Sequence, residues 1–390
     1  MIHVLHVITA LNIGGAELML KRLIEAHKGN RNYRHTVISL KKTGKVGQLL
    51  RDLGIEVQSL KMNSVLDFPR ALWQLRWLIR EQQPDVVQTW LYHADLLGGI
   101  AARLAGKRQV IWGVRCTELP HGRMSATQMV VTACGLVSRW VPQVIVCCAE
   151  SARRVHRVRG YSRKKMIVVP NGYDLIGFAG GPELRKRVRT DLGLDDDKVV
   201  IGIVGRFDPQ KDYNNFVRAG SLLAAKVEHV RFLMLGRGID AENEILKGWL
   251  AESGFADRFV LTGERGDVPD LLAALDVLCV SSSCGEAFPN VVCEAMAMGV
   301  PCVVTDVGDA AQIVSDTGIV VAPRNAKALA EGLEKMVSIG AGGRSRLGEL
   351  ARRRIEERYS IEKAASQFEA LYSQLAEKMP DGSQRVAVRN

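Results

Sequence analysis

Several features are missing from this 390-residue chain, and each absence removes a class of protein. The opening segment MIHVLHVITALNIGG has no basic n-region and no small-residue cleavage site, so a secretory leader is not predicted and the expectation is mature cytoplasmic sequence. The longest apolar run, residues 129–149, has the length of a membrane span. Arg139 and Pro142 interrupt it, and it reads instead as a helix followed by the strand QVIVCCA. None of the eight cysteines forms a CxxC pair with a matching partner, which argues against a zinc site and a disulfide framework. Cys147, Cys148, Cys279, Cys293 and Cys302 sit inside strand-like or helical runs and read as small core residues. Internal repeats and biased tracts are also lacking. What remains, 47% hydrophobic and 24% charged, is a soluble globular composition long enough for two full cores.

Charge is present in excess of one sign, +11 overall, and it is unevenly placed. Residues 1–190 hold 30 Lys/Arg against 12 Asp/Glu, and the remaining 200 hold 23 against 30. The basic half is therefore expected to meet something anionic. Its densest part is ARRVHRVRGYSRKK, with seven Lys/Arg between Arg153 and Lys165, which is equally readable as a solvated helix face. No aromatic interleaving or reading helix accompanies the charge, so nucleic acid fits less well than an anionic membrane surface or a phosphate-bearing lipid.

Strand and helix signals alternate throughout. IHVLHVI, RHTVISL, EVQSL, DVVQTW, QVIWGV, QVIVC and KMIVVPN form one series; KVVIGIVG, VRFLMLG, FVLTG, DVLCVSS, PCVVTD and GIVVAP form a second. Short continuous apolar strands separated by helices predict parallel sheets covered on both faces. Two series predict an α/β protein of two doubly wound domains, residues 1–180 and 181–360, with the break in the aperiodic LIGFAGGP region. A long amphipathic helix is predicted over 361–379, and a polar tail, read as disordered, over 380–390.

Ligands on such sheets gather at the carboxyl ends of the strands. The loop leaving DVLCVSS is SCGEAFPN, and NVVCEAMAM is a short helix with Pro289 suited to its first position and Gly299 to its close. Glu286 thus lies in the loop and Glu294 near the second helical turn, with a phosphate-attracting helix N-terminus between them. Two carboxylates so placed can accept hydrogen bonds from sugar hydroxyls; a capping role for Glu286 and a solvated Glu294 are the structural alternative. In VGRFDPQKD the strand delivers Arg206 and Lys211 to the same kind of edge, where cations suit a leaving diphosphate.

GEAFPNVVCEAMAMGVPCVVT resembles the E-x7-E signature of retaining glycosyltransferases of family 4, which have the GT-B fold. IGGAE (Ile13–Glu17), VVPNGYD, VGRFDPQKD, MLGRG, LTGERGDVPDLLAALDVLCVSS and TDVGDAAQIV follow in that family's order. The resemblance implies two Rossmann-like domains facing a cleft, the first binding acceptor and the second a nucleotide-sugar, with the terminal helix crossing back to the first. It implies that Arg206 and Lys211 hold the donor's diphosphate, that Glu286 meets the transferred sugar and that Glu294 meets the ribose. Backbone around Phe288, Pro289, Asn290 and Val291 would meet the phosphates. Gly14 and Gly15 would let backbone approach the sugar and phosphate, although a tight turn explains that pair equally well. No cofactor or metal is expected. Many members carry a histidine at the end of the fifth strand; here Arg115 stands there, and His93, Asp95 and Glu118 are the other candidates near that edge.

Two matches are set aside. MLGRGIDA fits a dinucleotide fingerprint for one turn only, and DDD at Asp195–Asp197 precedes its strand, at the wrong edge for a ligand. The expected activity is glycosyl transfer from a nucleotide-sugar to a glycan or lipid-linked glycan in bacterial polysaccharide, lipopolysaccharide or capsule assembly, in the cytoplasm or at the inner membrane face. A nucleotide-sugar epimerase of the same architecture and a non-catalytic homologue are the alternatives.

Overall fold

The β-branched runs fold as parallel strands because helices cover both faces of each sheet, leaving no solvated face for polar alternation. The computed structural model describes residues 1–117, 126–178 and 180–377; Glu118 and the tail from residue 380 lie outside them. The chain divides into two units, Met1–Gly172 with the segment from Ile361 onward, and Tyr173–Ser360. Residues 173–180, grouped with the first domain on sequence, thus belong to the second unit, and the terminal helix belongs to the first.

In the first unit the strands are β1 (Ile2–Ile8), β2 (Tyr33–Ser39), β3 (Glu56–Ser59), β4 (Val86–Trp90), β5 (Val110–Val114), β6 (Val144–Cys147) and β7 (Met166–Val168), in the order β3-β2-β1-β4-β5-β6-β7, all parallel. The apolar run at 129–149 resolves into the end of helix Ala126–Val137 and strand β6. Among the described residues, no helix is long and apolar enough to cross a membrane. Helix Ile361–Glu377 buries Ile361, Ala364, Ala365, Phe368, Tyr372 and Leu375, a stripe at helical spacing that joins the β1–β4 core. Each large side chain in that stripe contributes roughly 1.5–3 kcal/mol of burial.

A chain of histidines runs beneath this helix. The Trp90 indole N–H donates to His6 Nδ1 at 3.2 Å. His6 Nε2 meets His35 Nδ1, and His35 Nε2 meets His27 Nδ1, each at 2.9 Å. Indole is a donor only, so it fixes every tautomer in the series. His6 and His35 each accept at Nδ1 and donate from Nε2, and the His27 Nε2–H faces Glu369 of the terminal helix at 3.4 Å.

In the second unit the strands are β8 (Val199–Val204), β9 (Val230–Leu235), β10 (Phe259–Leu261), β11 (Val277–Val280), β12 (Cys302–Thr305) and β13 (Ile319–Val321), in the parallel order β10-β9-β8-β11-β12-β13. The basic helix Pro182–Asp191 is clamped to the amino edge of this sheet. Arg185 and the buried Arg189 each reach an oxygen of Asp276 at 2.7 Å, and Asp276 also accepts the Val200 N–H at 2.7 Å. Arg189 Nη1 donates to the carbonyls of Asp195, Asp196 and Lys198, so the DDD turn serves this clamp through its backbone. Both sheets reverse their winding at one place, between β1 and β4 in the first and between β8 and β11 in the second. Crossovers diverge there and leave a crevice at the carboxyl edge.

Candidate functional site

At the second unit's reversal point, the loop after β8 and the loop after β11 lie side by side. Asp208 accepts the Gln210 N–H at 3.0 Å and caps the short turn Pro209–Lys211. Asp212, left-handed at φ 50°, caps helix Tyr213–Ala224 through the Asn215 N–H. Lys211 therefore sits between two caps with little backbone freedom. Its carbonyl accepts the Ser281 hydroxyl at 2.7 Å, which ties this loop to the end of β11.

The Lys211 ammonium meets Glu286 Oε1 at 2.5 Å, and the Ser282 hydroxyl donates to the same oxygen at 2.9 Å. Both side chains are largely buried, Lys211 at 22% and Glu286 at 15% exposure. The Glu286 loop is held from behind: Thr305, closing β12, donates to the Ser282 carbonyl at 2.7 Å. Gly308, at φ 65°, approaches so closely that a Cβ there would lie 2.2 Å from the Glu286 carbonyl oxygen. Only glycine fits that contact.

Arg206 shares the edge but turns to Asp208, with Nε 2.9 Å from Oδ2 and 55% of its side chain exposed. Burial raises the Asp208 pKa, but the Gln210 N–H and Arg206 outweigh it and the net shift is downward. Glu294 is the fifth residue of helix Asn290–Ala297 and is half-buried. Pro289 is this helix's N-cap, one place earlier than its sequence position suggested. Phe288 is buried, packed edge-on against Tyr359 and stacked on Tyr173, whose hydroxyl donates to the Asn290 side chain. At Phe288 and Pro289, then, side chains pack and only backbone can meet a ligand. Val291 follows in the first helical turn.

In the first unit, Gly14 is the extended N-cap (φ −167°) of helix Gly15–Ala26, which Gly15 opens. Neither glycine is left-handed, so no positive-φ turn accounts for the pair. What a Cβ at Gly14 would meet is the Glu17 carboxylate, 2.4 Å away. Burial raises the Glu17 pKa. His93, in the first turn of helix Tyr92–Leu104, lines a cavity of about 280 Å³ with Thr9, Lys41, Phe68, Leu96 and Val130. Burial first, and the Lys41 charge second, lower its pKa, which favours the neutral imidazole.

Arg115 is not among those lining residues. Its guanidinium stacks over the Trp90 ring at 4.5 Å and donates to Asn171 at 2.9 Å. Asp95 is likewise interior, fully buried, accepting from the Thr89 hydroxyl at 2.6 Å and the Gly113 N–H at 3.1 Å. Burial lifts its pKa to about 7 against those hydrogen bonds. Of the first-unit candidates with described side chains, His93 is the one that lines the cavity.

Ser281, Ser282, Thr305 and Gly308 were not singled out on sequence. The signal available was a run of hydroxyls directly after an apolar strand, where the ladder has ended and a hydroxyl can serve a neighbouring loop. Among the described residues, no cluster of three or more His, Cys, Asp or Glu could hold a metal ion.

Two α/β sheets of this order, with paired charges at a carboxyl-edge crevice, define the GT-B architecture. Residues 13–176 match Glycosyltransferase Family 4, and residues 198–338 match Glycosyl transferases group 1. The chain belongs to glycosyltransferase family 4. It is 27% identical over 247 residues, 63% of each chain, to UDP-Gal:alpha-D-GlcNAc-diphosphoundecaprenol alpha-1,3-galactosyltransferase of Escherichia coli. It is 30% identical over 231 residues to the lipopolysaccharide core biosynthesis mannosyltransferase LpsB of Rhizobium meliloti, covering 56% of this chain and 64% of that enzyme. The matches thus span somewhat under two thirds of these relatives' length. The crystal structure of Anabaena Alr3699/HepE in complex with UDP shares the fold, with a TM-score of 0.82, 21% identity, and coverage of 96% of this chain and all of that one.

Proposed function

We propose that this protein transfers a glycosyl group from a nucleotide-sugar to a glycan acceptor, with retention of anomeric configuration, in bacterial surface-polysaccharide assembly. The observation that carries the reading is the Lys211–Glu286 pair, fixed by Ser281, Ser282 and Gly308 at the reversal point of the second sheet. An ammonium held this way is attracted to a diphosphate, and releasing Glu286 from it provides an acceptor for a sugar hydroxyl. Arg206, more than half exposed, can swing from Asp208 to the same anion at small electrostatic cost. Glu294 is assigned the ribose, and the N–H groups at the start of helix Asn290–Ala297 are assigned the phosphates.

In the reaction, the bond from the anomeric carbon to the diphosphate oxygen breaks and a bond to the acceptor oxygen forms. The acceptor's proton passes to the departing diphosphate. Lys211 and Arg206 stabilise the charge that grows there, where fixed charge counts most. The first unit's cavity, with His93, the Lys41 ammonium and the polar Thr9, Asn63 and Ser64 set among apolar side chains, is assigned to the acceptor. The Escherichia coli relative's acceptor is lipid-linked, as its name states, and this supports a lipid-linked acceptor and a place at the inner membrane face here.

A panel of UDP- and GDP-sugars tested for thermal stabilisation identifies the donor, since a ligand that binds only the folded state raises the melting temperature. Nucleoside diphosphate release should then depend on added acceptor, unlike in an epimerase, and should persist in excess EDTA. Lys211→Ala and Glu286→Ala should each lower kcat/KM by about 100-fold or more. Wild-type rates in both variants would remove the proposal.

A further inference from the structure

The charge asymmetry of the sequence pointed to Arg153–Lys165, but the structure exposes a different surface in the same unit. Three of the six tryptophans are more than half exposed: Trp73, Trp77 and Trp140. Trp73 and Trp77 lie one turn apart on helix Phe68–Gln82. At about 100° per residue, Arg70, Trp73, Arg76, Trp77 and Arg80 fall within one arc of roughly 120°. The opposite arc carries the buried Ala71, Leu75, Leu78 and Ile79. Two acids border the exposed arc: Glu81, and Asp67 at the helix N-cap, which pairs with Arg70 at 3.3 Å and leaves Arg76 and Arg80 as its other two cations. Arg76 sits 5.0 Å over the Trp73 ring, so cation and indole form one surface.

Helix Ala126–Val137 has no charged residue, and it exposes Leu136, with Trp140 just beyond its end. Both helices pack against Tyr92–Leu104 and so form one layer. Isolated exposed apolar residues are ordinary, but indoles interleaved with arginines on one helical arc are what a bilayer interface selects.

We propose that this layer, helix Phe68–Gln82 foremost, docks the first unit on an anionic lipid surface. Trp73, Trp77 and Trp140 enter the headgroup region, and Arg70, Arg76 and Arg80 meet lipid phosphates. Phe68 and Val130, from the same two helices, line the His93 cavity, so docking brings that cavity to the level where a lipid-linked sugar diphosphate is presented. The inference extends the acceptor assignment above and rests on it only for this last point.

The test is co-sedimentation of the full chain with vesicles of phosphatidylethanolamine, with and without phosphatidylglycerol. Wild type is expected to bind the phosphatidylglycerol vesicles, with a blue shift of tryptophan emission. Arg76→Gln/Arg80→Gln should weaken binding about 30-fold, from about 1 kcal/mol per basic residue. Trp73→Ser/Trp77→Ser should abolish the blue shift and weaken binding at least 10-fold, the folded state being checked by circular dichroism. Arg157→Gln/Lys164→Gln should leave binding at the wild-type level. Absence of wild-type binding, equal binding to both vesicle types, unaltered binding of the tryptophan variant, or loss confined to the Arg157/Lys164 variant would each overturn the proposal. Donor-induced thermal stabilisation of the same variants reports separately on the glycosyltransferase reading. It should be unchanged in all of them.

Discussion

Acidification should loosen the terminal helix through the histidine chain, and the size of the effect can be worked out for His35. Burial first, and then the charges of His27 and His3, push its pKa down to about 3 from an ordinary value of 6.5. Between those values the unfolded chain holds a proton at His35 that the folded chain does not. Stability rises with pH wherever the unfolded state binds more protons, so this contribution is complete above about pH 7 and is lost as pH falls below 6.5. By pH 5, His35 alone removes about 2 kcal/mol. Burial also lowers the pKa values of His6 and His27, which act in the same direction, with Glu369 partly offsetting the shift at His27.

The fixed tautomers explain why the structure resists the proton. A proton added to His6 or His35 must go to Nδ1, which already accepts from a neighbouring N–H, so two donors would face each other. The assay is hydrogen exchange of the amides in Ile361–Glu377 at pH 7 and pH 5, corrected for intrinsic rates, alongside urea unfolding across the same range. Protection of this helix should be lower at pH 5 than at pH 7 in the wild type. His35→Ala should be about 3 kcal/mol less stable at pH 8, because His6 and His27 each lose a buried partner, yet its pH slope should be shallower by about 1.4 kcal/mol per unit below pH 6. Equal slopes in the two proteins would refute the linkage.

Two further outcomes are expected. Asp276→Ala leaves Arg189 buried without its carboxylate, and urea unfolding of the second unit should show a loss of about 3–5 kcal/mol. Gly308→Ala forces both a left-handed alanine and a shift of the Glu286 carbonyl, so nucleotide affinity measured by calorimetry should fall; an unchanged affinity would detach that glycine from the Glu286 loop.

The strand series, the two doubly wound sheets and the placement of Glu286, Arg206 and Lys211 at carboxyl edges were legible in the sequence. These follow from local periodicity and from chain order, which short apolar strands and intervening helices already encode. The sequence also separated the apolar run at 129–149 into a helix and a strand, because Arg139 and Pro142 interrupt it.

Side-chain direction was another matter. That Lys211 pairs with Glu286 while Arg206 turns to Asp208, that Arg115 lies against Trp90 while His93 lines a cavity, and that four histidines lie buried near one another all depend on residues far apart in the chain. Helix Phe68–Gln82 makes the point most plainly. Trp73 and Trp77 are apolar residues yet are left outside, because Ala71, Leu75, Leu78 and Ile79 are the ones buried on the side where this helix packs against helix Tyr92–Leu104. Local composition determined which elements form; only packing among distant segments decided which groups they turn to one another and which to the surroundings.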